Sequence, residues 1–206
     1  MVAIIDYGVG NLFSLSSSLK AVGAKAVITG DPEIIKKADR LILPGVGAFG
    51  DAVNKLKADG LDRVIKEQAL SGKPLLGICL GMQLLFEKSY EFGEHEGLGL
   101  IKGKIVPFKG RIDESLKIPH IGWNGLKIKK ESPLLKDVND GECVYFVHSF
   151  FADECEESVI ATAEYGIEVT AAAANGNIYG CQFHPEKSGK VGMKILRAFC
   201  CLEEKQ

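Results

Sequence analysis

Pro74-Leu75-Leu76-Gly77-Ile78-Cys79-Leu80-Gly81-Met82-Gln83-Leu84-Leu85-Phe86-Glu87 is the stretch on which the fold of this chain turns. It opens as an apolar run of strand length and continues from Met82 to Glu87 as a helix-forming run, with a cysteine at the joint. Small residues on both sides of Cys79 suit a sharp strand-to-helix turn, where any side chain would crowd the crossing backbone. Such a turn projects the thiol at a helix N-terminus, whose positive end favours thiolate over thiol. The segment predicts a cysteine nucleophile.

Upstream of it, short apolar runs alternate with amphipathic ones. Val2–Asp6, Ala26–Thr29 and Arg40–Leu43 read as strands. Asn11–Val22, with Leu12, Leu15, Leu19 and Val22 at helical spacing, reads as a helix, as do Phe49–Leu56 and Leu61–Leu70. Strands buried on both faces and separated by helices imply a parallel sheet. Downstream the strands crowd together: Leu100–Pro107, Leu126–Ile128, Cys143–Phe150, Ser158–Glu164, Val169–Ala174 and Ile178–Phe183. Residues 93–99 read as a loop holding a solvated His95. Ala174-Asn175-Gly176-Asn177 signals a hairpin, and Lys190–Leu202 a closing helix. The expectation is one α/β domain over residues 1–206, a mostly parallel central sheet flanked by helices with additional antiparallel strands in the second half.

Bulk properties narrow the function. A net charge of −2, with 25 Lys and Arg spread along the chain against 27 Asp and Glu, predicts no nucleic-acid or membrane partner. No apolar run approaches the roughly 20 residues of a membrane span, and Met1–Asp6 reads as a strand rather than a signal peptide. A cytoplasmic protein is expected. Six cysteines show no Cys-x-x-Cys spacing, so neither zinc nor a disulfide framework is expected, and all but Cys79 read as structural thiols.

A cysteine nucleophile needs a base, and the base an orienting partner. Among His95, His120, His148 and His184, the last stands in Gln182-Phe183-His184-Pro185-Glu186, directly after a strand. In an extended stretch residues two apart face the same way, so Glu186 can hold one imidazole nitrogen while the other faces Cys79. His120 and His148 stay open between site groups and ordinary hydrogen-bonded histidines. Oxyanion donors are expected at the Leu80 N–H and in Pro44-Gly45-Val46-Gly47, near Gly47. Asp6–Asn11 lacks the third glycine of a dinucleotide loop, Phe13 standing in its place.

The segments DYGVGNLFSL (6–15), LPGVGAF (43–49), KPLLGICLGMQLLFE (73–87), GLGLIKG (97–103), PHIGWN (119–124), YFVHSF (145–150) and QFHPEKSG (182–189) stand in the order of the class I (triad) glutamine amidotransferases, which the chain resembles over nearly its whole length. PHIGWN and the Lys187-Ser188 extension match a histidine-biosynthetic branch that passes ammonia to a (β/α)8-barrel cyclase subunit in a heterodimer. The resemblance implies that Cys79 attacks the side-chain amide of glutamine, His184 protonates departing ammonia and Glu186 orients His184. It places Gly47, Gln83, Ser149 and Phe150 around the glutamine or the oxyanion. Asn11, His120, Trp123, Asn124, Tyr145 and Lys187 fall near the subunit interface or in support of the site. It implies no cofactor and no metal. Phe150 departs from the family's usual Tyr, losing a phenol hydroxyl, and Val169 stands where an aromatic is usual. For Trp123 a packed core position competes with the interface.

Competing readings are another ammonia-channelling amidotransferase, against which PHIGWN argues, and a thiol-elbow peptidase, in which His commonly follows the nucleophile where Leu80 stands here. A regulatory subunit with a dead site is opposed by the joint presence of Cys79, His184 and Glu186.

Overall fold

A computed structural model describes residues 1–202. The first half runs β1 (Val2–Ile5), α1 (Leu12–Ala21), β2 (Ala26–Thr29), α2 (Pro32–Lys37), β3 (Arg40–Leu43), α3 (Phe49–Ala58), α4 (Leu61–Leu70), β4 (Leu75–Ile78) and α5 (Leu80–Leu84). Strands then dominate: β5 (Phe86–Ser89), β6 (His95–Glu96), β7 (Ile101–Pro107), β8 (His120–Gly125), β9 (Lys127–Ile128), β10 (Cys143–His148) and β11 (Phe150–Asp153). They continue with β12 (Val159–Glu164), β13 (Glu168–Asn175) and β14 (Ile178–Cys181), and α6 (Gly189–Cys200) ends the described chain.

Eight strands form the central sheet in the order β2-β1-β3-β4-β14-β13-β12-β9. From β2 to β14 every neighbouring pair is parallel, and β13, β12 and β9 extend it antiparallel. β1 and β4 are apolar throughout, and β3 after Arg40, because both faces are covered. Val2 and Ile4 of β1 enter one core and Ala3 and Ile5 the other; Ile42 of β3 and its neighbours Leu41 and Leu43 divide in the same way. The four parallel strands β1, β3, β4 and β14 bring the loops at residues 6–11, 44–48, 79 and 182–188 to one carboxyl edge, the usual place for an α/β site.

Several elements differ from their sequence reading. The helix expected from Met82 to Glu87 begins at Leu80 and stops at Leu84, and Phe86–Ser89 is strand β5. The carbonyls of Leu84, Leu85 and Phe86, which a continuing helix would use, accept instead from the N–H groups of Leu98, Leu100 and Gly99. The expected loop at 93–99 contains β6, paired with β5. His95 is half-buried there, against the start of α3: a Cβ on Gly50 would lie 2.7 Å from its Cε1. The expected single strand Cys143–Phe150 breaks at Ser149, because β10 pairs with β8 and β11 with β7. β8 and α2 carry no clear period and escape a sequence reading.

Candidate active site

Cys79 occupies the joint between β4 and α5 with φ 56° and ψ −114°, a strained backbone for a residue with a side chain. Its neighbours explain the glycines. A Cβ on Gly81 would stand 1.8 Å from the Leu43 carbonyl oxygen, and one on Gly77 2.6 Å from the Gly81 oxygen. The turn is possible only without side chains at those two positions. α5 has five residues, too few for the strong helix dipole that a longer helix would aim at the sulfur. The thiol lies against the Val147 carbonyl and the Gln182 amide, each at 3.9 Å.

His184 follows β14, which pairs parallel with β4 and so ends beside the cysteine turn. Its backbone N–H donates to the Tyr145 carbonyl, and Ser188 Oγ, at 2.7 Å, donates to its carbonyl. The ring Nδ1 donates to Glu186 Oε1 at 2.7 Å, in a pair only 3 % and 4 % exposed. Nε2 is buried outside well-formed hydrogen-bond geometry, a looseness common in catalytic pairs before substrate arrives. Burial opposes charge on this ring, but hydrogen bonding and charge from Cys79 and Glu186 outweigh it and raise the imidazole to about 9. That direction favours the charged form of the ring.

Cys79 and His184 share a pocket of about 290 Å³ with Gly47, Leu80, Gln83, Ser149, Phe150, His148 and Glu91. The pocket thus gathers every catalytic and substrate candidate expected from the sequence except Glu186, which stands behind His184. Gly47 has φ 99° at the tip of the loop after β3. Both Gln83 amide hydrogens are committed, to the Phe150 carbonyl at 3.1 Å and to Gln182 Oε1 at 3.0 Å. The Phe150 ring meets the exposed Phe92 edge-on at 6.4 Å.

The other candidates divide. Trp123 is 55 % exposed, so the core position weighed for it is excluded. It pairs across β8 and β10 with Tyr145, their rings 5.8 Å apart, and Lys187 Nζ lies 5.9 Å above the Tyr145 ring. Asn11 caps α1, its side chain accepting from the Ser14 N–H. His120 is 1 % exposed and cannot itself present a surface; Asn124 bonds it. Three groups escaped the sequence. Gln182 touches the sulfur and Tyr7 donates to the Pro44 carbonyl at 2.8 Å, burial holding its phenol well above the ordinary range. Glu91 accepts from the Phe49 N–H at 2.6 Å, and burial raises its carboxyl. Gln182 and Tyr7 lie inside quoted motifs but carried no assigned role there; no local signal marks Glu91. Among the described residues no cluster of three His, Cys, Asp or Glu could hold a metal, and no helix is long and apolar enough to cross a membrane.

Comparison with known proteins agrees with this geometry. The family model described as Glutamine amidotransferase class-I matches residues 3–201. The chain is 54 % identical over 202 residues to the imidazole glycerol phosphate synthase subunit HisH of Wolinella succinogenes, covering 97 % of this chain and 98 % of that one. It is 49 % identical over 209 residues to the same-named subunit of Bacillus subtilis, covering 100 % and 98 %. Among solved structures, a crystal structure of glutamine amidotransferase superposes with TM-score 0.75 at 17 % identity over 97 % of each chain. PurLQS from Thermotoga maritima does so with TM-score 0.75 at 21 % identity over 96 % of each. These two support the fold alone.

Proposed function

We propose, from the premise that the chain belongs to the class I glutamine amidotransferases, that it is the glutaminase subunit of an imidazole glycerol phosphate synthase, acting in histidine biosynthesis. The observation that carries this reading is the buried His184–Glu186 pair sharing one small pocket with Cys79, in a chain about half identical to curated subunits of that synthase. Residues 1–206 are read as one cytoplasmic amidotransferase domain.

In this reading glutamine enters with its side-chain amide over Cys79 and its α-ammonium toward the Glu91 carboxylate, the acidic group in the pocket wall. The thiolate adds to the amide carbon, and the oxyanion takes hydrogen bonds from backbone N–H groups at Leu80 and near Gly47. His184 gives its proton to the nitrogen as the C–N bond breaks, releasing ammonia and leaving a γ-glutamyl thioester. The neutral ring then takes a proton from water, whose oxygen attacks the thioester carbon; glutamate leaves and the thiolate and imidazolium are restored. Glu186 keeps the ring in place and favours its charged form through both halves.

Ammonia in water is mostly protonated near neutral pH and no longer nucleophilic, so its use requires a dry path to an acceptor. We place that acceptor in a (β/α)8-barrel cyclase subunit, forming a heterodimer whose products are imidazole glycerol phosphate and an aminoimidazole-carboxamide ribotide. Trp123, Tyr145 and Lys187, aligned across β8, β10 and the turn after His184, are the proposed docking face. Glutamine hydrolysis should be slow for the isolated chain and at least about tenfold faster with cyclase and its nucleotide. Trp123→Ala should weaken assembly by about 2 kcal/mol. Equal rates with and without the partner would refute the coupling.

A further inference from the structure

His120 and His148 stand opposite each other in the β8–β10 ladder, buried and outside the reacting groups. A continuous run of short contacts passes through them from the pocket wall to the surface. The Phe150 carbonyl oxygen lies 2.8 Å from His148 Nδ1, His148 Nε2 lies 3.0 Å from His120 Nδ1, and His120 Nε2 lies 2.7 Å from Asn124 Oδ1. Asn124 Nδ2 then donates to the Glu164 carbonyl at 2.9 Å.

Two neutral rings hold too few protons for this run of contacts. Each of the three links through the rings needs one proton, and oxygen acceptors close both ends. All three protons must therefore sit on the four ring nitrogens, whereas two neutral imidazoles carry two. Turning the Asn124 amide over supplies a donor to His120 Nε2 and lets both rings be neutral. It also sets Asn124 Oδ1 against the Glu164 carbonyl oxygen, so that bond is lost to solvent. The two solutions differ by one proton and by the orientation of one amide.

We propose that His120 and His148 act as a single one-proton unit that positions the Ser149–Phe150 wall of the glutamine pocket, continuous to Glu164 when protonated and broken at Asn124 when neutral. The surroundings say where the proton resides. Burial drives His148 down to about 3, aided by the charges of His120 and His184, so the third proton belongs to His120. Burial also lowers His120, and its bond to Asn124 acts in the opposite sense. Its ring stacks on Tyr165 at 4.0 Å and on Phe146 at 5.0 Å, faces that favour a cation. Of the ionisable groups near the pair, Tyr165 donates its phenol proton to the Lys117 carbonyl, Glu164 spends its carboxylate on Lys127, and His184 repels added charge. The path to the chemistry is short: the Phe150 carbonyl also holds Gln83, Gln83 holds Gln182, and Gln182 touches Cys79. The positioning role rests on the glutaminase reading; the proton count does not.

The test is a pH titration of the full chain with histidine ring nitrogens labelled for NMR, alongside KM for glutamine measured with the cyclase partner. On acidification both His120 nitrogens should become N–H while His148 stays the neutral Nδ1–H tautomer, and the Asn124 amide signals should move with the same midpoint. KM should carry an inflection there, and Asn124→Asp, which adds a carboxylate beside His120, should raise both midpoints together by about one unit or more. Separate titration of the two rings, or a pair neutral down to about pH 4, overturns the one-proton unit. A shared titration with KM flat across it overturns the positioning role. Absence of any glutamine turnover removes that role along with the glutaminase reading, while the titration still decides the proton count.

Discussion

At the scale of residues, the site works by holding charge where water would otherwise neutralise it. His184 is buried, which alone would strip its proton, yet Cys79 and Glu186 reverse the outcome. Its folded value, about 9, lies above the ordinary 6.5, so the proton's contribution to stability is complete below about pH 6.5 and lost as pH rises through about 9. Glu186→Gln keeps the hydrogen-bond acceptor and removes the charge. The His184 midpoint, followed by imidazole NMR, should fall by about one to two units, and kcat should fall with it. An unchanged midpoint would mean that Glu186 only orients the ring.

At the scale of elements, the turn between β4 and α5 is the strained component, and close packing beneath it maintains the strain. Gly81 lies so near the Leu43 carbonyl that one methyl group must push the start of α5 away from the end of β3. Gly81→Ala should cost roughly 3 kcal/mol, read as a lower denaturant midpoint with unchanged slope. A loss within about 0.5 kcal/mol would show that the turn can relax. Much of this was legible in the chain. Apolar runs gave the parallel strands because burial on both faces leaves no polar residues to confuse them, and Gly77 and Gly81 marked the turn. The end of α5 was not legible, since carbonyls at residues 84–86 are claimed by residues 98–100, a competitor remote in sequence. The break at Ser149 was hidden for a similar reason: β-branched and aromatic residues flank it on both sides, and only the partners β8 and β7 divide the run. Glu91 enters the pocket through the tertiary path of the β5–β6 connection, which no local pattern encodes.

At the scale of the whole molecule, one edge of the central sheet collects the chemistry and the neighbouring β8–β10 ribbon carries the exposed aromatic face. His148 belongs to both, lining the pocket and pairing with His120 beneath Ile121 and Trp123, which are 57 % and 55 % exposed. A partner bound to the ribbon thus rests on the same strands that shape the pocket wall, so assembly and hydrolysis can be coupled by small shifts in a shared element. The most direct measurement is product formation by the reconstituted complex of cyclase with the Cys79→Ala chain, supplied either with glutamine or with ammonium salt. Glutamine-dependent synthesis should fall about a thousandfold or more while ammonia-dependent synthesis is retained; undiminished synthesis from glutamine would rule out Cys79 as the nucleophile.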